Sequence, residues 1–121
     1  MSEKHKILIC EDDPDLIEIM LLLLSADYDV KAIDNCEDIL STLENFHPNL
    51  ILMDLRIPVM GGEKATEMLK SNQQYKDIPV LIVSANNEIS KVAKRVNAAD
   101  YMPKPFNVKA FKKKVSELVS V

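Results

Sequence analysis

Short apolar runs alternate with longer amphipathic stretches along the whole chain. The pattern predicts strands at 6–10, 29–33, 49–54, 79–84 and 100–102, and helices at about 14–25, 36–46, 63–72, 87–96 and 107–119. The strand runs are nearly continuous in Val, Ile and Leu, so we expect helices to cover both faces of the sheet. Five βα units with right-handed crossovers therefore predict an α/β protein with a doubly wound parallel sheet.

Residues that start or stop elements agree with these boundaries. Pro14 follows Asp13 at the predicted start of the first helix, and Asn107 is placed to cap the last helix. The two glycines of the chain are adjacent, so other residues must take left-handed backbone positions in the remaining turns. Asn and Asp tolerate that conformation best after Gly, which makes Asp27 and Asn97 the candidates.

The composition indicates one domain spanning residues 1–121. Hydrophobic residues make up 47% of the chain and charged residues 28%, which is ordinary for a globular protein. The longest apolar run covers 19–24, far short of the roughly 20 residues of a membrane helix, and nothing directs export. We therefore expect a cytoplasmic protein without a membrane partner.

Charge is unevenly distributed around a net value of −4. Residues 1–83 hold 7 Lys or Arg and 16 Asp or Glu, whereas residues 84–121 hold 8 and 3. Because the domain is acidic overall, direct nucleic-acid binding is not expected. The basic side chains are interpreted as solvated helix faces or as a partner surface.

The cysteines and histidines suggest neither a disulfide framework nor a metal site. Cys10 and Cys36 lack a CxxC spacing and are expected to be small buried apolar residues. His5 and His47 have no Cys or His at metal-ligand spacing and are expected on the surface.

Carboxylates follow two of the predicted strands. Glu11 and Asp12 come directly after the first strand, and Asp54 ends the third, just before a Pro/Gly turn. The carboxyl ends of the strands form the reactive edge of an open α/β sheet, so these acids are expected to converge. Carboxylates this close repel one another unless a cation lies among them, and oxygen ligands favour Mg²⁺. Asp13 and Asp15 are interpreted instead as acids that favour the helix macrodipole.

A hydroxyl and an ammonium group follow two further strands. Ser84 ends the fourth strand, and Lys104 follows the fifth. Asp54 stands alone at its strand end, where a carboxylate can accept a phosphoryl group. Ser84 would donate a hydrogen bond to one phosphoryl oxygen, and Lys104 would place a positive charge beside another. The sequence therefore predicts phosphoryl transfer to Asp54 assisted by Mg²⁺.

With these motifs the chain resembles a response-regulator receiver domain of two-component signalling over essentially its whole length. The motifs are the pair Glu11-Asp12, MDLRIPVMGG around Asp54, VSA around Ser84 and DYMPKPF around Lys104. The resemblance implies a flavodoxin-like (βα)5 fold with a five-stranded parallel sheet in the order 2-1-3-4-5. The chain departs from the family's usual pattern in Ser84 for Thr, in Glu11 for a frequent Asp, and in lacking a glycine before the fifth strand.

The resemblance also implies roles for individual residues. Asp54 is similar to the phosphoacceptor, Asp12 to the direct magnesium ligand, and Glu11 to the acid that reaches the ion through water. The backbone carbonyl of Arg56 would be a further magnesium ligand.

A second group of implied roles concerns switching. Lys104 resembles the phosphate-binding lysine, joined to Pro105 by a cis peptide bond. Ser84 and Tyr101 resemble the switch hydroxyl and switch aromatic, which would change the face formed by the fourth helix, fifth strand and fifth helix.

The same resemblance implies the partners. The phosphoryl donor would be a histidine kinase or a histidine phosphotransfer protein, and the target an unidentified downstream protein. The chain would be a monomer or a phosphorylation-dependent dimer. If complete, it would signal through protein contacts; a fragment of a longer regulator or hybrid kinase is the alternative.

The first helix is apolar on more than one side. A helical wheel predicts a stripe packed on the sheet, formed by Leu16, Ile19, Met20 and Leu23. Three apolar residues lie off this stripe: Ile17, Leu21 and Leu22. They indicate either a broader buried face or a docking patch for the four-helix bundle of the phosphoryl donor.

Two other functions compete with the receiver interpretation. A dehalogenase-like phosphatase also uses a strand-end Asp, but position 56 holds Arg where its acid/base carboxylate would stand. A pseudo-receiver would keep the fold as a binding module and never accept phosphate, yet all the acids and the lysine are present. We therefore expect a signalling protein that is no enzyme and assists only its own phosphorylation and dephosphorylation.

Overall fold

The computed structural model describes residues 4–58 and 60–119. Strands and helices alternate along it in the order β1 (Lys6–Cys10), α1 (Pro14–Leu24), β2 (Asp29–Ile33), α2 (Ile39–Phe46), β3 (Leu50–Met53), α3 (Gly62–Lys70), β4 (Val80–Ser84), α4 (Ile89–Arg95), β5 (Asp100–Pro103) and α5 (Val108–Val119). All strand pairs are parallel, and the strand order is β2-β1-β3-β4-β5. The predicted α/β class, flavodoxin-like doubly wound topology and strand order are confirmed.

Helices cover both faces of the sheet, because successive side chains of each buried strand point to opposite sides. One core lies under α2, α3 and α4 and includes Leu8, Cys10, Ile51, Met53 and Ile82. The other lies under α1 and α5 and includes Ile7, Ile9, Leu52, Leu81 and Phe111. The three central strands β1, β3 and β4 are therefore apolar on both sides, which holds their carboxyl ends at one fixed edge.

Helix ends follow the predicted capping residues. Asp13 is the N-cap of α1, where its side chain accepts from the Asp15 N–H at 3.0 Å, and Pro14 occupies the first turn. The Asn107 side chain accepts from the Ala110 N–H at 3.0 Å at the start of α5. Both caps are confirmed.

The predicted left-handed residues are half right. Asn97 has φ 63°, as predicted. In the described ranges, the other non-glycine residue with a positive φ is His47, with φ 55°, and not Asp27. Asp27 instead continues the tight turn after α1, with its N–H bonded to the Leu24 carbonyl. His47 is the C-cap of α2 and is exposed, which confirms the prediction that it lies on the surface.

Helix α1 follows the predicted stripe except at one residue: Met20 is buried and Leu16 and Leu23 pack against the core, whereas Ile19 does not. Met20 and Leu24 are buried, and Leu21 packs against the core instead of lying off it. Ile19, predicted to face the sheet, is 47% exposed, and Leu22 is 76% exposed. The helix is apolar on several sides, so its pattern did not define a unique buried face; in the fold, Met20 and Leu24 share one core with Phe111 and Val115 of α5. Among the described residues, no helix combines the length and hydrophobicity needed to cross a bilayer.

Candidate functional site

Asp54 lies at the carboxyl end of β3, in the middle of the sheet. Its N–H donates to the Cys10 carbonyl at 3.0 Å, which joins it to the end of β1. Its side-chain Oδ1 accepts from the Arg56 N–H at 3.3 Å, and the residue is only 5% exposed. The backbone and the carboxylate of Asp54 are thus each held by a hydrogen bond at the predicted edge.

The three predicted acids converge beside it. Glu11, Asp12 and Asp54 each offer a carboxylate oxygen, and these oxygens lie within 4.8 Å of one another. Glu11 and Asp54 are buried, whereas Asp12 is exposed. An all-oxygen set with one open side fits Mg²⁺, which usually binds one or two carboxylates and keeps several waters.

Lys104 enters the same cluster from the loop after β5. Its Nζ lies 2.8 Å from Glu11 Oε1 and 3.4 Å from Asp54 Oδ2. Its N–H donates to the Ser84 carbonyl, and the bond to Pro105 is cis. Burial raises the pKa of Glu11, although hydrogen bonds from Lys104 and the Asp13 N–H act in the opposite direction. The charged form of Glu11 is therefore costly in the folded protein despite its lysine partner.

The remaining predicted residues lie on β4 and β5. Ser84 is fully buried, and its Oγ accepts from the Asn86 N–H at 3.4 Å. Tyr101 is 40% exposed and lines a groove of about 410 Å³ between α4 and β5. The structure therefore places Ser84 at the same sheet edge as Asp54. Tyr101 lies instead on β5, at the margin of the sheet.

Gly62 is a site residue that the sequence pattern indicated only as part of a turn. A Cβ atom there would collide with the Asp54 backbone, approaching its carbonyl carbon to 2.8 Å. The Gly62 N–H also donates to the Leu55 carbonyl at 3.1 Å. Only glycine lets α3 start so close to the acid, so Gly62 fixes the position of Asp54.

A second missed feature is an apolar groove beside Lys104. The groove has a volume of about 490 Å³, and its apolar lining includes Leu16, Ile19, Pro105, Phe106 and Val108. Ile19 and Val108 are each nearly half exposed. The sequence feature that could have indicated this groove is that the chain has more apolar residues here than the core needs.

The fold and the site together define the class of the protein: an α/β protein with a flavodoxin-like sheet and with carboxylates, a hydroxyl and a lysine at the carboxyl ends of its strands. The model of the response regulator receiver domain family matches residues 7–116. This chain belongs to that family, a family of signalling modules in two-component systems that interact with histidine kinases or phosphotransfer proteins.

Relatives place the domain in several protein architectures. The chain is 29% identical to the sensor histidine kinase TmoS of Ectopseudomonas mendocina over 99% of its own length and 12% of the kinase. It is 33% identical to the transcriptional regulatory protein KdpE of Staphylococcus aureus over 87% of its length and 46% of that protein. It thus spans less than half of either protein.

A solved structure has the same fold. The receiver domain of sensor histidine kinase PA1611 from Pseudomonas aeruginosa, with magnesium coordinated in its active site cleft, superposes with a TM-score of 0.88 at 22% identity, covering 98% of this chain and 100% of that one.

Proposed function

We propose that this chain is a phosphoacceptor receiver domain, spanning residues 1–121, that takes a phosphoryl group on Asp54. One observation carries the proposal: the buried Asp54 carboxylate shares one sheet edge with two further acids, and a lysine ammonium lies 3.4 Å from it. Carboxylates arranged around a cation site, with a positive charge beside the isolated acid, suit phosphoryl transfer better than acid–base chemistry.

The transfer step needs only a nucleophile and charge neutralisation. An oxygen of the Asp54 carboxylate attacks the phosphorus of a phosphohistidine, and the P–O bond forms as the P–N bond breaks. The electron pair leaves on the imidazole nitrogen, which takes a proton from solvent. Lys104 pairs with a phosphoryl oxygen in place of its present contact with Asp54, and Ser84 donates its hydroxyl to another.

Glu11, Asp12, Asp54 and the backbone carbonyl of Arg56 would hold a magnesium ion. When bound, the ion supplies positive charge that offsets the repulsion among the acids and the charge of the phosphoryl oxygens.

The proposed output is the face formed by α4, β5 and α5. A phosphoryl group on Asp54 draws Ser84 toward it, and the half-exposed Tyr101 ring turns inward into the space that Ser84 leaves. The groove between α4 and β5 then changes shape for a downstream protein.

The proposed donor is a histidine kinase or a histidine phosphotransfer protein, which docks on the apolar groove next to Lys104. Ile19 lines this groove, and Leu22, the most exposed apolar residue of α1, follows it by about one helical turn. The sequence had predicted a docking patch of Ile17, Leu21 and Leu22. Leu21 packs against the core and is not available.

Further properties stay predictions. They are a cytoplasmic location, no direct nucleic-acid binding, a monomer or phosphorylation-dependent dimer, and no activity beyond the chain's own phosphorylation and dephosphorylation.

The test is phosphorylation with acetyl phosphate and Mg²⁺, followed by intact-mass measurement. Wild type should gain one phosphoryl group that hydroxylamine removes, and Asp54→Asn should gain none. Asp77→Asn, which removes an exposed carboxylate away from the site, is the control and should behave as wild type. Uptake by Asp54→Asn at the wild-type rate refutes the assignment of the acceptor. A folded wild type that takes up nothing is a pseudo-receiver.

A further inference from the structure

The last third of the chain carries an excess of positive charge. Residues 84–121 hold 8 Lys or Arg and 3 Asp or Glu, in a protein whose net charge is −4. Two of those acids are already paired, because Asp100 Oδ2 lies 2.6 Å and Glu117 Oε1 3.8 Å from Lys114 Nζ. The third, Glu88, is the N-cap residue of α4. Few acids in this region are therefore left to neutralise its other cations.

Five exposed lysines on α4 and α5 form no ion pair within the described part of the chain. They are Lys91, Lys94, Lys109, Lys112 and Lys113. The neighbouring Arg95 differs from them, because its Nε lies 2.8 Å from Glu63 Oε2. The two helices lie on opposite faces of the sheet beside the edge strand β5, so the five charges give this edge of the domain a positive potential.

A groove at this edge combines positive charge with apolar surface. Lys91 and Lys94 are three residues apart on α4, which places them on one side of the helix. Both line the groove of about 410 Å³ between α4 and β5. Ala98, Ala99 and the half-exposed Tyr101 line it as well. A ligand in the groove would meet two cations together with small apolar and aromatic side chains.

A second copy of this chain is a poor occupant of the groove. A two-fold dimer buries the same surface patch of both subunits, so Lys91 and Lys94 would approach their own counterparts. Like charges that face each other across an interface cost free energy. The acid that lines the groove, Asp100, is already paired with Lys114 and cannot offset this repulsion without breaking that pair. The charge therefore favours a different molecule with negative charge.

An acidic protein segment fits the groove better than a nucleic acid does. Single-stranded nucleic acid binds by stacking its bases on aromatic side chains, and Tyr101 is the one aromatic among the described residues that line the groove. A longer polyanion would also meet the acidic part of the domain, since residues 1–83 hold 16 Asp or Glu against 7 Lys or Arg. A short acidic segment can stay within the groove and place apolar side chains against Ala98 and Ala99.

We propose that the groove between α4 and β5 binds an acidic segment of a partner protein, whose carboxylates pair with Lys91 and Lys94. Small apolar side chains of the segment contact Ala98, Ala99 and Tyr101. The three exposed lysines of α5 attract the segment at longer range and speed the encounter. Inward rotation of Tyr101 opens the groove, so phosphorylation strengthens binding; this last step rests on the proposed function.

Binding is tested by NMR, with isotope-labelled domain titrated with a short peptide of alternating glutamate and alanine. We expect the backbone amide signals of Lys94, Ala99 and Tyr101 to shift, and the affinity to fall as salt is added. A peptide of the same length with glutamine in place of glutamate has no side-chain charge and should leave these signals unchanged.

Two double variants separate these lysines from the overall charge of the protein. Lys91→Gln/Lys94→Gln should weaken binding about tenfold, because each exposed ion pair accounts for a few-fold change. A dispersed amide spectrum shows that this variant folds. Lys31→Gln/Lys76→Gln removes two exposed lysines outside the groove, on β2 and in the segment before β4, and should bind as wild type does.

Several results overturn the acidic partner. They are an absence of shifts in the groove, equal binding of the charged and the neutral peptide, and equal affinity of the two double variants. Groove signals that shift with protein concentration in the absence of peptide identify a second copy as the occupant instead. A single-stranded oligonucleotide of equal charge that binds the groove more tightly than the peptide identifies a nucleic acid.

The link to phosphorylation is tested by repeating the titration with Mg²⁺ and beryllofluoride, which stands in for the phosphoryl group. We expect peptide binding to tighten about fivefold, the lower end of ordinary coupling between two sites. Equal affinity with and without beryllofluoride refutes this link and leaves the acidic partner standing. Beryllofluoride that shifts no signal around Asp54 refutes the proposed function instead.

Discussion

Lys104 and Glu11 form an ion pair at the reactive edge of the sheet, with Nζ 2.8 Å from Oε1, although they lie 93 positions apart in the chain. The lysine is closer to Glu11 than to the proposed acceptor Asp54, which lies 3.4 Å away. In the absence of bound metal, Lys104 therefore offsets part of the repulsion among the acids. Its ammonium carries three N–H donors, so it can keep Glu11 while a phosphoryl oxygen replaces its contact with Asp54.

The first prediction concerns stability and pH. Burial raises the pKa of Glu11 in the folded protein. The stability that protonated Glu11 contributes is thus present below its unfolded pKa, about 4.3, and is lost as the pH rises through the higher folded pKa. Glu11→Gln resembles the protonated acid and does not titrate. Without Mg²⁺ the variant should unfold at higher urea concentration than wild type at neutral pH.

The difference in unfolding free energy should shrink toward zero below about pH 4, where wild-type Glu11 is protonated in both states. Glu18→Gln changes an exposed carboxylate of α1 and is the control. A Glu11→Gln variant that is less stable than wild type at neutral pH would mean that the Lys104 pair outweighs the cost of burial.

The second prediction concerns the switch. The Tyr101 ring is 40% exposed here, and beryllofluoride with Mg²⁺ should bury it by mimicking the phosphoryl group on Asp54. Ring-proton NMR reports the change, with the buried Tyr75 as an internal reference that should not move. Ser84→Ala lacks the hydroxyl that is drawn inward, so its Tyr101 signal should respond less. A Tyr101 ring equally exposed with and without beryllofluoride rules out the switch.

The third prediction concerns phosphoryl lifetime. Arg56 is exposed two residues after Asp54, where a long cationic side chain can cover the phosphoryl group and hinder attacking water. An exposed pair of this kind is worth about 0.5–1 kcal/mol, so Arg56→Asn should lose phosphate about two- to fivefold faster. Loss of phosphate is followed by intact mass after the donor is removed. Lys76→Asn deletes a distant exposed charge as control, and an unchanged or slower loss in Arg56→Asn contradicts shielding.

Sequence reasoning was most successful where backbone pattern alone decides the outcome. Each strand of continuous Val, Ile and Leu was correctly placed, and this sufficed to bring Glu11, Asp12 and Asp54 to one edge. The contact of Lys104 with Glu11 could not be predicted, because it depends on side-chain directions between distant segments. The sequence identified Gly62 only as a turn residue, because its close approach to the Asp54 backbone becomes visible only in the folded structure.

Helix α1 shows a different limit. Periodicity identifies which residues share a face, but in the run Ile-Met-Leu-Leu-Leu-Leu almost every face is apolar. Tertiary packing then determines which side is buried. Met20 and Leu24 are buried, whereas Ile19 is not. Because of the same excess of apolar residues, the helical wheel placed Ile19 on the buried face, and Ile19 and Leu22 lie at the surface.

The last prediction uses that surface. Ile19 and Leu22 are one helical turn apart on α1, and Ile19 lines the apolar groove beside Lys104. Burying two such side chains against the helical bundle of a donor contributes about 2–4 kcal/mol, enough to matter in a transient complex. Ile19→Glu and Leu22→Glu should therefore slow phosphotransfer from a phosphorylated histidine phosphotransfer domain that serves wild type, while phosphorylation by acetyl phosphate stays unchanged. Ser41→Glu places the same charge at an exposed position of α2, on the opposite face of the sheet, and should slow neither reaction. If both rates fall in Leu22→Glu, or the variant unfolds, these side chains stabilise the fold and do not dock the donor.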